Sequence, residues 1–221
     1  MKKILLLVAS LAFFGNAQAC YDESLSDKGN FISCKKAAEQ GSARAQANLG
    51  SMYDIGQGVT QDCKQAIDWY RKSAEQGSAQ AQYNLGVTYS EGECATQDYK
   101  QAISWYRKSA EQGGAQAQYN LGNMYVNGQG VTQDYKQAIS LYRKSAEQGH
   151  APAQANLGIM YVNGQGVTQD FVMAHMLWNI AAADGNEAAA VNRDLVAKQM
   201  TPSQIEKAQD LARQWVAEHL N

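Results

Sequence analysis

The sequence lacks most of the features that mark enzymes, nucleic-acid binders and membrane proteins. It has no basic excess: 19 Lys and Arg stand against 21 Asp and Glu, a formal charge of −2. A nucleic-acid binder carries a basic surface, so that class is set aside. One long apolar run exists, at the N-terminus, which excludes a multi-span membrane protein. Apolar residues make up 45% of the chain, too many for a disordered one. The histidines, His150, His175 and His219, are far apart and no CxxC occurs. A zinc site or thioredoxin-like motif is therefore unsupported. GxSxG, HExxH, GxxxxGK(S/T) and the kinase set are absent. The one SxxK, Ser33-Cys34-Lys35-Lys36, has no SDN or KTG to accompany it. The expectation is a non-enzyme with no catalytic residues, metal or cofactor.

The N-terminal run reads as an address. Lys2 and Lys3 are a positive n-region, Ile4 to Phe14 is almost wholly apolar, and Ala17-Gln18-Ala19 is a small-x-small cleavage pattern. Residues 1–19 are thus expected to be a signal peptide, and the mature chain would start at Cys20. Its loss leaves 17 basic against 21 acidic residues, a net −4. A bacterial lipoprotein also starts at Cys. The lipobox places, however, hold Ala17 and Gln18, so an anchor at Cys20 is the lesser alternative. The protein is expected to be exported, either to the periplasm or outside the cell. Cys20, Cys34, Cys63 and Cys94 are an even set in an exported chain and read as two disulfides. Three pairings are open. Proximity along the chain favours Cys20–Cys34 and Cys63–Cys94.

A period of 36 residues organises the rest. Four gapless copies run over 38–73, 74–109, 110–145 and 146–181, each beginning AEQG. Eleven of the twelve tyrosines fall inside them. In the third copy, helix A is expected over Ala115 to Asn127, with Gly128 as its left-handed cap. Asp134 is the next N-cap, with Gln137 three residues on. Tyr135, Ala138, Ile139 and Tyr142 form one face of helix B. Residues 20–37 read as an N-terminal capping helix and 182–221 as C-terminal capping helices. There, Thr201-Pro202-Ser203-Gln204 makes a capping box. One such hairpin cannot bury both faces, so neighbours must stack.

The pattern resembles the Sel1-like repeat, a relative of the tetratricopeptide repeat. The matching residues are Leu121, Gly122 and Tyr125, the loop Gly128, Gly130 and Val131, then Asp134, Ala138, Tyr142, Gln148 and Gly149. The resemblance implies an all-α, right-handed α/α superhelical solenoid and a role in binding other proteins. Some exported, cysteine-rich relatives are associated with penicillin binding or β-lactamase activity. A β-lactam or peptidoglycan-fragment binder with weak hydrolase activity is thus the alternative. Those relatives carry a cysteine pair in nearly every repeat, whereas only Cys63 and Cys94 lie inside this array. Both depart from the repeat: Cys63 stands where Tyr99 and Tyr135 do, and Cys94 where Gly130 does. A bridge between them would staple the first repeat to the second.

Positions that vary between copies are the candidates for contact. On helix A these are the offsets of Arg44, Ala47, Ser51 and Asp54, spaced 3, 4 and 3 along one face. That face is expected to be concave and to bind a partner protein from the envelope, the secreted pool or a host surface. Its candidate residues are Tyr83, Val87, Tyr119, Asn123 and Ile159. The competing reading is drift on a solvated or inter-repeat face. The invariant Asn48, Asn84, Asn120 and Asn156 read as structural bonds between neighbouring units. Val172 and Met173, apolar where other copies have Lys and Gln, are expected under the C-terminal helices. His175 is expected to be a packed histidine.

Overall fold

The computed structural model describes residues 20–219, so the proposed signal peptide lies outside the described residues. Eleven helices and no strand are found among them. They fall into two compact units divided between Gln97 and Asp98. The first holds α1 (Asp27–Glu39), α2 (Ala43–Ile55), α3 (Cys63–Glu75) and α4 (Ala79–Glu91). The second holds α5 (Tyr99–Glu111), α6 (Ala115–Asn127), α7 (Tyr135–Ala146), α8 (Ala151–Asn163), α9 (Phe171–Ala183), α10 (Glu187–Ala197) and α11 (Pro202–His219). Even-numbered helices from α2 to α8 are helix A of a repeat, and odd-numbered ones from α3 to α9 are helix B. The expected all-α solenoid class is the one observed.

The loop between the two helices of a repeat is set by its TQD segment. Gln133 Nε2 donates to the Val126 carbonyl at 2.6 Å, closing the end of helix A. Asp134 Oδ1 accepts from the backbone N–H groups of Lys136 and Gln137 at 2.9 and 3.0 Å, opening helix B. One short polar pair thus satisfies orphan groups at both helix ends. In the second repeat, the Asp98 carboxyl is held below its usual range, first by the Gln101 backbone N–H.

In the first, third and fourth repeats the helices touch through a glycine and a ring. A Cβ on Gly122 would lie 2.7 Å from the Tyr142 ring, and one on Gly50 would lie 2.5 Å from the Tyr70 ring. In the fourth repeat, the Trp178 indole takes the same place against Gly158. The serine one turn further on ties the same helices: Ser145 Oγ donates to the Ala115 carbonyl at 2.8 Å, and Ser73 Oγ to Ala43 at 2.6 Å. Small residues complete the seam, with Ala66, Ala138 and Ala174 essentially inaccessible.

Glutamines join one repeat to the next. Gln118 Nε2 donates to the Ala110 carbonyl, and its Oε1 accepts from Gln148 at 2.9 Å. Gln46 does the same with Ala38 and Gln76. Asp184 stands where the next such glutamine would be. Gln154 Oε1 is accordingly buried with no hydrogen-bond partner. Helices α10 and α11 both pack on α9. The Thr201–Gln204 capping box is complete, with Thr201 N–H on Gln204 Oε1 at 2.8 Å and Gln204 N–H on Thr201 Oγ1 at 3.3 Å. Leu211 and Trp215 of α11 lie in the same cluster as Val172 and Met173, covering them as expected.

Both disulfides adopt the favoured pairing, Cys20–Cys34 and Cys63–Cys94. The second stands at a repeated contact. A Cβ on Gly130 would meet Tyr99 Cβ at 2.6 Å, and one on Gly166 would meet Tyr135 Cβ at 2.8 Å. These loop glycines, with φ +68° and +72°, press on the start of the preceding repeat's helix B. Cys94 and Cys63 occupy the equivalent two positions, 31 residues apart, and turn that van der Waals contact into a bond.

Two outcomes follow for stability. Gly122→Ala gains helix propensity but drives its methyl into Tyr142, for a net loss of about 1–2 kcal/mol in urea unfolding. An unchanged midpoint would show that the ring moves aside freely. Cys63→Ser with Cys94→Ser is expected to cost roughly 3–4 kcal/mol, from the closed loop of about 30 residues. Calorimetry of the double variant beside the parent measures it.

Candidate interaction face

The variable offsets of helix A can be followed separately in each unit. In the first, Tyr83 and Val87 of α4 are half-buried. In the same unit, a groove of about 550 Å³ is lined by Arg44, Ala47, Asn48, Gln76, Ser78 and Gln80. Three of these, Arg44, Ala47 and Gln80, are variable-offset residues from two successive A helices. Gln80 Nε2 donates to Asn84 Oδ1 at 2.9 Å. Deeper, Tyr70 OH donates to Asp54 Oδ2 at 3.2 Å. Burial, then the Asp54 charge, pushes the Tyr70 hydroxyl far above its ordinary pKa.

In the second unit the face is more tightly bonded. The Tyr119 ring lies edge-on to His150 at 5.0 Å and tilted against Tyr142 at 5.8 Å. Tyr142 OH donates to Asn123 Oδ1 at 2.5 Å. Asn156 Nδ2 lies 3.3 Å from Asn123 Oδ1 and 3.4 Å from Tyr119 OH. Tyr119 and Asn123 are therefore brought together, but by a network that also links α6 to α8. Burial pushes the Tyr142 hydroxyl up to about 12, and burial also lowers His150. Asn120 Nδ2 donates to Tyr106 OH at 3.2 Å and Asn156 Nδ2 to Tyr142 OH at 3.5 Å, so these two invariant asparagines bond to the preceding helix B, whereas Asn48 Nδ2 donates to Cys20 Sγ. Ile159 is 40% exposed, the most open of the five predicted contact residues.

The variable face continues on α10. Adding the same period to Ala155 and Ile159 reaches Val191 and Leu195 of α10. These are 59% and 52% exposed, more open than Ile159. The register of a fifth helix A is legible over 186–199 in the sequence, although Asn192-Arg193-Asp194 replaces the NLG signature there.

Chemistry is poorly served by these groups. Ser145 Oγ lies 3.1 Å from His150 Nδ1, but its one hydrogen is given to Ala115 and it is buried. His150 therefore donates to it rather than activating it. His175 is packed, 3% exposed, with Nδ1 unpartnered and its pKa lowered, first by burial. Among the described residues, no group of three or more His, Cys, Asp or Glu is placed to hold a metal ion.

The family model described as the Sel1 repeat matches 43–78, 79–114, 115–150 and 151–186, with each unit starting at helix A. The chain is similar to a solved protective antigen with an SLR fold, present in uropathogenic Escherichia coli strains. That match has 39% identity and a TM-score of 0.81, over 86% of this chain and 41% of the antigen. The chain thus spans less than half of that protein. A Sel1 repeat protein from Oxalobacter formigenes matches at 34% identity and TM-score 0.73, over 86% of this chain and 80% of its own. Immunity protein Pa5087 from Pseudomonas aeruginosa, at 23% identity and TM-score 0.53, shares the fold. No curated protein matches. Four consecutive repeat units matched by the family model, and a Sel1 relative matching most of its length, show that the chain belongs to the Sel1 repeat family.

Proposed function

We propose that this protein is an exported scaffold that binds a partner protein through the concave helix A face. Sel1 repeats are typical protein–protein interaction scaffolds and generally non-enzymatic. The observation that carries the reading is the exposure of Ile159 and Leu195 at one repeated offset of successive A helices, with Val191 exposed one turn before Leu195. Repeated core positions demand sameness. Large apolar side chains held in water at a variable offset do not serve the core, and such strips mark interaction sites. The partner-binding set is Tyr83 and Val87 in the first unit, and Tyr119, Asn123 and Ile159 in the second, now joined by Val191 and Leu195. Because repeat-to-repeat bonds already order these helices, binding costs little further conformational entropy.

Export is supported by two disulfides, which persist in oxidising compartments. No described helix is long and apolar enough to cross a membrane. Cys20 Sγ is bonded to Cys34, which speaks against a lipid thioether there. Similarity to a protective antigen supports a partner outside the cytoplasm. No observation favours the β-lactam alternative.

The test is affinity capture from envelope extract and culture supernatant with residues 20–221 as bait, followed by titration of the identified partner. Ile159→Glu with Leu195→Glu changes exposed positions and leaves the fold intact. It is expected to weaken binding at least about tenfold, the scale of an interface hot spot. Tyr83→Ala with Tyr119→Ala is expected to do the same, with helix content checked because Tyr119 also serves the Asn156 network. A partner bound equally by both double variants would move the site off this face.

A further inference from the structure

The repeats differ on their helix B side in a way that leaves one groove open. In the first repeat, Trp69 packs, together with Tyr53, against the buried cluster that holds Ala38 and Leu49, and Lys72 Nζ lies 3.8 Å from its ring centroid. Trp105 of the second repeat carries Lys108 in the same way, at 4.2 Å. In the third repeat, Leu141 stands where the tryptophans do, and Lys144 where their lysines do. A groove of about 200 Å³ results between α5, α6 and α7, walled by Ala110, Leu121, Tyr125 and Leu141. Three of these are the counterparts of Ala38, Leu49 and Tyr53. In the fourth repeat, Leu177 is accompanied by Met173 and Ile180 at the places of Gln137 and Lys144. There, Leu177 and Ile180 are buried and Met173 packs against the same cluster. Thus the first repeat closes this position with its own tryptophan and the fourth with aliphatic groups, while the third leaves it open with its lysine in place.

We infer that this groove receives a tryptophan side chain from a partner polypeptide, one carrying a carboxylate next to that residue. The size argues for a single side chain, since pockets for whole small molecules run to about 300–1,000 Å³. The ring identity comes from the molecule's own filling of the same walls. Lys144 is exposed and sits where Lys72 and Lys108 stack on indoles, so the cation–π partner is already positioned. The carboxylate comes from charge. The rim carries Arg107 and Lys144 against Glu111 alone, and Arg107 Nη2 is held toward the groove by Tyr125 OH at 3.4 Å. An acidic group beside the ring meets a net positive rim. This site lies on helix B and stands whether or not the helix A face binds.

The experiment titrates N-acetyl-L-tryptophan and its neutral amide into ¹⁵N-labelled protein of residues 20–221. The capped peptide Gly-Trp-Asp-Gly and its Trp→Ala counterpart follow. Saturable shifts are expected at Leu141, Lys144 and Tyr125, with millimolar dissociation constants on the scale of a fragment. The anion should bind about threefold or more tighter than the amide, and the alanine peptide should not bind. Leu141→Trp, which supplies the missing indole, should abolish the shifts and raise the unfolding midpoint. Lys144→Gln, a surface change, should weaken binding about threefold or more. Shifts that never saturate, that map elsewhere, or that survive Leu141→Trp would overturn the site. Equal binding of anion and amide would overturn the carboxylate.

Discussion

The close approach of a helix A glycine to a helix B ring is the contact on which the rest depends. With Tyr142 against Gly122, backbone meets aromatic face with no side chain between. That fixes the separation of the two helices and aims the Tyr142 hydroxyl at Asn123 and Asn156. The polar network between successive A helices is thus a consequence of the apolar seam beneath it. The same seam places Ser145 under the Ala115 carbonyl and Gln148 beside Gln118. Substituting tryptophan for tyrosine at Trp178 keeps the ring and redirects the polar tip, which now donates to the Ala155 carbonyl at 3.0 Å. The geometry tolerates a different aromatic, but the glycine leaves no room for a methyl group.

Much of this was legible in the sequence because the period repeats each signal four times. The Asp134 caps, the left-handed Gly128, the Thr201–Gln204 box and both disulfides follow from residues whose role is local or whose departure from the repeat is visible. The glycine of NLG was readable as core, but not as one half of a ring contact twenty residues on, because pairing across helices has no marker in one strand of text. The site was legible only in part. Variation between copies picks out candidate offsets on helix A, yet it does not separate Tyr119, engaged with His150 and Asn156, from Ile159, which is open to water. Burial, set by the neighbouring repeat, makes that distinction.

The helix B groove was missed for a related reason. Trp69, Trp105, Leu141 and Leu177 read as one apolar position with acceptable substitutions. A loss of volume at Leu141 matters only where Lys144 and Gln137 remain polar and leave the space uncovered. At Leu177 the same loss is hidden by Met173 and Ile180. Variation in a repeat protein therefore has to be judged together with the residues one and two turns away.

The bond between Cys63 and Cys94 bears on how such a chain can change length. Repeats joined by equivalent contacts are interchangeable modules, so recombination can delete or duplicate one 36-residue module and leave every junction well formed. The first junction is the exception, because its two halves are cysteines that match nothing in the other modules. Inserting a module between Cys63 and Cys94, or deleting one that carries just one of them, would strand a thiol opposite a glycine or a tyrosine. The covalent junction thus makes the N-terminal part a fixed block and confines tolerated gain or loss of modules to the chain beyond it.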